Sequence, residues 1–224
     1  MEFKEAKVTR IIFQKKWLPA VLSGLLLGIF AIIGSSLVGI SYEETIDKIR
    51  DNERKYLLRQ MTVILPKNVY DNNLLKDVIK ISAPRLSNKA SINIYRARKG
   101  NEDIAIIFSP VTANGYSGDI DILIGVYKTG ELAGVRILKH KETPGLGDKI
   151  EEKRDPWITS FTNKSLSSPG VDNWKVKRDG GEFDQFTGAT ITPRAVVLSV
   201  KKTLQYFNQN QDTLFSKPSG DSKI

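Results

Sequence analysis

The sequence predicts an α+β protein, in which one N-terminal transmembrane helix is followed by a single mixed α/β domain. Three observations lead there. Residues 17–40 hold no charged side chain. Near residue 91 the period changes to two, in segments rich in β-branched residues that read as strands. Over 192–208 it returns to helical spacing, with Val196, Val197, Val200, Leu204 and Phe207 on one face.

Residues 1–16 form a basic flank, in which Lys4, Lys7, Arg10, Lys15 and Lys16 outnumber Glu2 and Glu5. The 24 residues of 17–40 that follow are uncharged. At about 1.5 Å per residue they reach roughly 36 Å, enough for a hydrocarbon core of about 30 Å with some tilt. Pro19 fits a first helical turn, where its missing N–H costs nothing. Trp17 and Tyr42 flank the block as interfacial aromatics. Gly24 and Gly28 make a G-x-x-x-G spacing, which lets a second membrane helix approach closely. A cleaved signal peptide is the competing reading, since Gly34 and Ser36 resemble a small-x-small cleavage site, but signal cores run only about 7–15 residues. A core helix of a soluble domain would show a polar face, and this stretch has none. The basic flank before it and Glu43, Glu44 and Asp47 after it predict a cytoplasmic N-terminus. Residues 41–224 then lie across the membrane, in the periplasm of a bacterium.

Residues 42–65 read as a further helix with an intermittent apolar stripe, and 74–82 as a shorter one ending before Ala83-Pro84. Strands are expected at 91–96 and 104–110, then a hairpin from 121–127 and 132–138 about Thr129-Gly130. Another strand is expected at 171–177. The helix over 192–208 takes Thr192 as N-cap and Pro193 as its first residue. Beyond Asn208 the chain turns polar and is expected to fray.

Composition removes several functions. The 224 residues include no cysteine and one histidine, His140. Disulfide scaffolds, iron–sulfur clusters, thiolate zinc and covalent c-type haem are excluded, and a histidine-rich metal site is not expected. The net charge of +9 is partly the N-terminal flank, and elsewhere both signs are interspersed. Without a nucleic-acid-binding motif, this reads as a solvated basic surface, and no nucleic-acid partner is expected.

Three segments can carry chemistry. Asp184-Gln185-Phe186-Thr187-Gly188-Ala189-Thr190 runs into the helix start. Small residues leave the backbone open there, and the first helical N–H groups suit a phosphate that is either held or esterified to the Thr190 hydroxyl. The same residue types also serve an ordinary helix cap. His140-Lys141-Glu142-Thr143-Pro144-Gly145-Leu146-Gly147-Asp148 holds a Pro-Gly turn whose amides can meet a planar ring or a phosphate, or form a plain surface turn. His140 alone reads as a hydrogen-bonded loop residue. Gly115-Tyr116-Ser117-Gly118-Asp119-Ile120 is a glycine-tyrosine turn between strands.

In this order the three segments resemble the FMN-binding domain family. Most closely they are similar to the G subunits of Rnf-type (or Rsx) ion-translocating electron transport complexes; the domain also occurs in the C subunits of sodium-pumping NADH:quinone reductases. The resemblance implies FMN joined through a phosphoester to Thr190, with Asp184, Thr187, Gly188 and Ala189 recognised by a flavin transferase during maturation. It implies that Glu142, Thr143, Gly145, Leu146 and Gly147 help enclose the flavin, and that the partners are the other subunits of the membrane complex. The chain then divides into a cytoplasmic N-terminus (1–16), a transmembrane helix (17–40), a periplasmic helical segment (41–90), an FMN-binding domain (91–208) and a flexible tail (209–224). The expected role is a covalent-FMN electron carrier that is not catalytic alone, in a complex coupling electron transfer to ion translocation across the inner membrane. No G-x-G-x-x-G nicotinamide fingerprint is present, so this chain is not expected to oxidise NADH itself. Alternatives are a complex of the same type that reduces a redox-sensing regulator, a stand-alone anchored flavoprotein reductase, or a structural subunit with a vestigial motif.

Overall fold

A computed structural model describes residues 2–219, with side chains described from Trp17 onward. Two compact units divide between Glu53 and Arg54.

The first unit is helical throughout its described length, because α1 (Glu2–Ile64) is a single element that continues into the second unit. Two helices meeting near residue 41 were expected from the change of charge. That change marks a change of solvent, and the backbone stays helical through it, Gly39 included. Pro19 correspondingly lies inside α1 and not in its first turn. Side chains around the whole circumference of 17–40 are exposed, with Leu22 and Phe30 at 65%. This is the one helix among the described residues that is long and apolar enough to cross a membrane. Gly24 and Gly28 have open space where a Cβ would stand.

In the second unit α1 stops at Ile64, since Leu65 precedes Pro66 and is pushed out of helical conformation. Six strands follow: β1 (Val78–Ile81), β2 (Ile92–Lys99), β3 (Glu102–Phe108), β4 (Val111–Thr112), β5 (Ile120–Tyr127) and β6 (Leu132–Lys139). All pairings are antiparallel. β3 and β4 lie end to end along one edge of β5, separated at Ser109-Pro110, and β6 lies along the other. The helix α2 (Ile191–Ser216) closes the domain.

Both faces of the sheet are covered, which is why β5 reads Ile-Asp-Ile-Leu-Ile-Gly-Val-Tyr with little alternation. Ile94, Ile106, Phe108, Ile122 and Ile124 pack with Val196, Val200, Leu204 and Phe207 of α2. On the other face Tyr95, Ile107 and Leu123 meet Met61, Ile64 and Leu65 from the end of α1. Close approach there requires Gly125, whose Cβ would stand 2.3 Å from Ile64 Cγ2.

Four expectations need correction. Residues 74–82 are not a helix. Asn73 turns the chain by accepting the Leu75 N–H on its side chain at 3.0 Å, and the β-branched Val78–Ile81 then joins the sheet against β2. Residues 171–177 are not a strand but two 3₁₀ turns, Val171–Asn173 and Lys177–Asp179, flanking buried Trp174 and Val176. Thr192 is not the cap of α2. Thr190 precedes the helix and Pro193 falls third, still in the turn whose N–H groups lack helical partners.

Nor does the chain fray after Asn208. The helix runs on to Ser216 with Leu214 and Phe215 buried, while residues 220–224 lie outside those described. A buried guanidinium holds this end. Arg96 Nη1 donates to the carbonyls of Phe215 at 3.0 Å, Leu214 at 3.4 Å and Lys217. Its Nε donates to Asp77 Oδ1 at 2.7 Å, and Arg98 Nη2 adds a bond to Phe215 O at 2.7 Å. A cation here satisfies the last helical carbonyls and complements the negative end of the helix dipole.

Arg96→Leu should therefore destabilise the domain by about 3 kcal/mol, because it removes the buried guanidinium shared by Asp77 and the α2 carbonyls, leaving Arg98 as their remaining cation. Urea unfolding of the full chain in detergent, followed by tryptophan fluorescence, measures this. A loss below about 1 kcal/mol would mean that water satisfies these carbonyls equally well.

Candidate functional site

Two glycine turns of the same design face one another. In the first, the Leu146 N–H donates to Thr143 O at 3.2 Å, with Pro144 second and Gly145 third at φ +77°. In the second, the Ala189 N–H donates to Phe186 O at 3.1 Å, with Gly188 third at φ +80°. Only glycine takes that third position without strain, which is the local reason for P-G and T-G in these motifs. Leu146 Cδ2 stands 3.5 Å from where a Cβ on Gly188 would be, so the turns are neighbours.

The second turn is anchored from below. Phe186 is buried against Trp157, with ring centroids 5.1 Å apart, and Trp157 Nε1 donates to Asp184 O at 2.8 Å. Trp157 also packs edge-on against Phe161, which stacks on Phe183 at 4.5 Å. Asp184 and Thr187 themselves are exposed, and the Asp184 carboxylate pairs with Lys177 Nζ at 2.7 Å.

Glu142 ties the segments together. Only 4% exposed, it accepts hydrogen bonds from the N–H groups of Ser117 at 3.0 Å and Tyr116 at 3.3 Å, and from the Thr192 hydroxyl. This explains why Thr192 does not cap α2: its side chain is committed to the carboxylate. Two glycines make room. A Cβ on Gly115 would stand 2.3 Å from Gly118 O and 2.8 Å from Glu142 Oε1, and one on Gly147 would stand 3.0 Å from Glu142 Cβ. His140 supports the same residue, accepting the Glu142 N–H at Nδ1 (3.0 Å) while Nε2 meets Glu151 Oε1 at 2.7 Å. This network assigns the ring proton to Nε2.

Above the knot lies a cavity of about 540 Å³. Small-molecule pockets span about 300–1,000 Å³. Of the residues expected from sequence, Glu142, Thr143, Leu146, Gly147, Gly188, Ala189 and Thr190 line it, whereas Gly145, Asp184 and Thr187 do not. Tyr116, Arg178, Ile191 and Thr192 line it as well, and the sequence alone does not place them in the site. Tyr116 at least belongs to the glycine-tyrosine motif. Arg178 has no local signal and is brought in by the fold of its loop, where its N–H donates to Gln185 Oε1 at 3.1 Å.

Thr190 is half-buried, and its side chain makes no capping hydrogen bond. Among the described residues, Arg178 is the one cation lining the cavity. The neighbouring Arg194 is committed to Asp179 at 2.6 Å, a bond that holds the Asp179 carboxyl below its usual range and raises the guanidinium in turn. Among the described residues no three His, Asp or Glu side chains are grouped to hold a metal ion.

The residues around this cavity fall within a stretch of chain shared with known proteins. A family model described as FMN-binding domain matches residues 115–205, and one described as RnfG N-terminal region matches 19–64. The chain is 39% identical over 197 residues to a Vibrio cholerae protein named as the G subunit of an ion-translocating oxidoreductase complex, covering 88% of this chain and 94% of that protein. The protein of the same name from Shewanella oneidensis is 40% identical over 201 residues, 89% of this chain and 95% of its own. That from Pseudoalteromonas atlantica is 41% identical over 195 residues, 87% and 91% respectively.

Removing the knot should loosen the cavity before it loosens the sheet. Glu142→Gln halves the acceptors facing three donors and should cost about 2 kcal/mol. Gly115→Ala, forced against a carbonyl, should cost at least as much. Thermal unfolding of both variants checks the order. An unchanged melting temperature in Glu142→Gln would show that the carboxylate is not what holds these segments.

Proposed function

The chain belongs to the RnfG family, the G subunits of ion-translocating oxidoreductase complexes, and from that membership we propose that it serves such a complex as a membrane-anchored electron carrier with FMN esterified to Thr190. The observation that carries the proposal is the Thr190 hydroxyl, which lines the cavity at the start of α2 without being used as a cap. The residues present suit FMN. The first-turn N–H groups of α2 have no side-chain cap and favour an anion, and Arg178 offers a positive charge on the same cavity. Tyr116, Leu146 and Ile191 are 69%, 42% and 47% exposed on its walls, an apolar surface suited to a planar ring. When bound, FMN supplies reversible uptake and release of electrons.

The protein's part is position. Glu142, held by two N–H groups and a hydroxyl, keeps the Tyr116 segment against the start of α2. Thr143, Gly145, Leu146 and Gly147 set one turn of the enclosure, with Gly145 acting through the turn it permits. The exposed Asp184 and Thr187 side chains, beside the bend at Gly188-Ala189, present a rigid and accessible sequence to a flavin transferase. The basic flank ahead of residue 17 supports a cytoplasmic N-terminus, with the domain periplasmic and the helix in the inner membrane. The open face at Gly24 and Gly28 suits a helix from elsewhere in the complex.

Coexpressed with a flavin transferase, the wild-type chain should gain the mass of FMN less one water and fluoresce as a flavin band after denaturing electrophoresis. Thr190→Ala should lose both signals while staying folded, and Thr190→Ser should keep some attachment because the hydroxyl remains. A flavin peptide mapping elsewhere would overturn the assignment. Orientation is tested separately: a periplasm-dependent reporter fused after residue 224 should be active, and activity of a cytoplasm-dependent reporter at the same site would reverse it.

A further inference from the structure

A second groove lies apart from the flavin cavity and shares no lining residue with it. It is formed by two adjoining cavities of about 510 and 170 Å³, joined through Pro84, Arg85, Leu86 and Lys202. One wall is the middle of α2. The other is the loop after β1, which is built rather than loose: Leu86 N–H donates to Ala83 O at 2.9 Å, and the Ser87 hydroxyl accepts the N–H groups of Lys89 at 3.1 Å and Val111 at 3.2 Å.

The charges in this groove are uncompensated. Arg85 and Lys202 come from opposite walls, and neither has an ion-pair partner among the described residues. Among the described residues no acidic side chain lines either cavity. The remaining polar lining is neutral and rich in donors, including Gln205, Gln209 and Tyr206, whose phenol is pushed up by burial and so keeps its proton. Ser199, on the wall of the smaller cavity, is 5% exposed with a hydroxyl that lacks a hydrogen-bond partner. Two cations lining one groove repel one another unless an anion joins them, and a guanidinium matches the oxygens of a phosphate group two at a time.

We propose that this groove binds a phosphate-bearing anion, its phosphate held between Arg85 and Lys202 and its organic body on Pro84 and Leu86. The phosphate comes either from a soluble monoester or from a phospholipid headgroup. Calorimetric titration of the full chain in a nonionic maltoside, at constant ionic strength, separates the two. Phenyl phosphate represents the monoester, and dihexanoyl phosphatidylglycerol below its micellar concentration represents the headgroup. Saturable binding of either probe is expected, and which one binds identifies the source. The Arg85→Gln/Lys202→Gln double variant should weaken binding at least tenfold, whereas Lys153→Gln, a surface charge elsewhere, should leave it unchanged. Failure of both probes to bind the wild-type chain would overturn the proposal, as would undiminished binding by the double variant. So would loss of binding in Arg178→Gln, which would place the anion in the flavin cavity instead. Covalent flavin content, read from visible absorbance of the denatured double variant, should match wild type, so this test fails or succeeds independently of the Thr190 assignment.

Discussion

The buried Glu142 carboxylate is where three stretches of chain, distant in sequence, become one site. A charge taken out of water is tolerated only when its lone pairs are filled. Here two backbone N–H groups from residues 116–117 and the Thr192 hydroxyl fill them. The consequences spread outward. Gly115 and Gly147 have no room for a side chain, the first because of the Gly118 carbonyl and Glu142, the second because of Glu142 and Thr192. Thr192 is drawn inward to the carboxylate, and Thr190, at the N-cap position, makes no side-chain capping hydrogen bond.

Rigidity at this site rests on the two ends of α2. Its start is tied to Glu142, and its finish is gripped by Arg96, itself paired with Asp77. Between them the apolar stripe of α2 lies on the sheet, each well-buried Val, Leu or Phe contributing about 1.5–3 kcal/mol. The aromatic group of Trp157, Phe161, Phe183 and Phe186 supports the Gly188 turn from the same core. An FMN-carrying electron-transfer subunit needs this kind of support, since a turn on a mobile loop would not hold a fixed distance to a partner.

The membrane segment obeys a different physics. Its exposed leucines, isoleucines and valines would be a fault in a soluble helix, and they are the expected surface of one solvated by lipid. In that solvent apolar area no longer drives association, so the small residues at positions 24 and 28 gain importance as places of close approach.

Much of the fold was legible because it depends on period and on local stereochemistry. A period of two and β-branched residues marked β2 and β3, a hairpin about Thr129-Gly130 marked β5 and β6, an uncharged block marked the membrane helix, and helical spacing marked α2. Where the reading failed, long-range partners overrode local preference. Residues 74–82 look helical until β2 offers Val78–Ile81 a ladder, and the polar end of α2 looks frayed until Arg96 arrives from the sheet to hold its carbonyls. The motif residues divide the same way. By itself the sequence determined the membrane helix, the α+β class, and the glycine turns at Gly145 and Gly188, because each is set by residues adjacent in the chain. Only the tertiary structure decided that Thr192 serves Glu142, that Thr190 stands at the N-cap without making a capping hydrogen bond, and that Arg178 reaches the same cavity. Those relations depend on the desolvation of one carboxylate and on the path of a loop, neither of which has a signature in neighbouring residues.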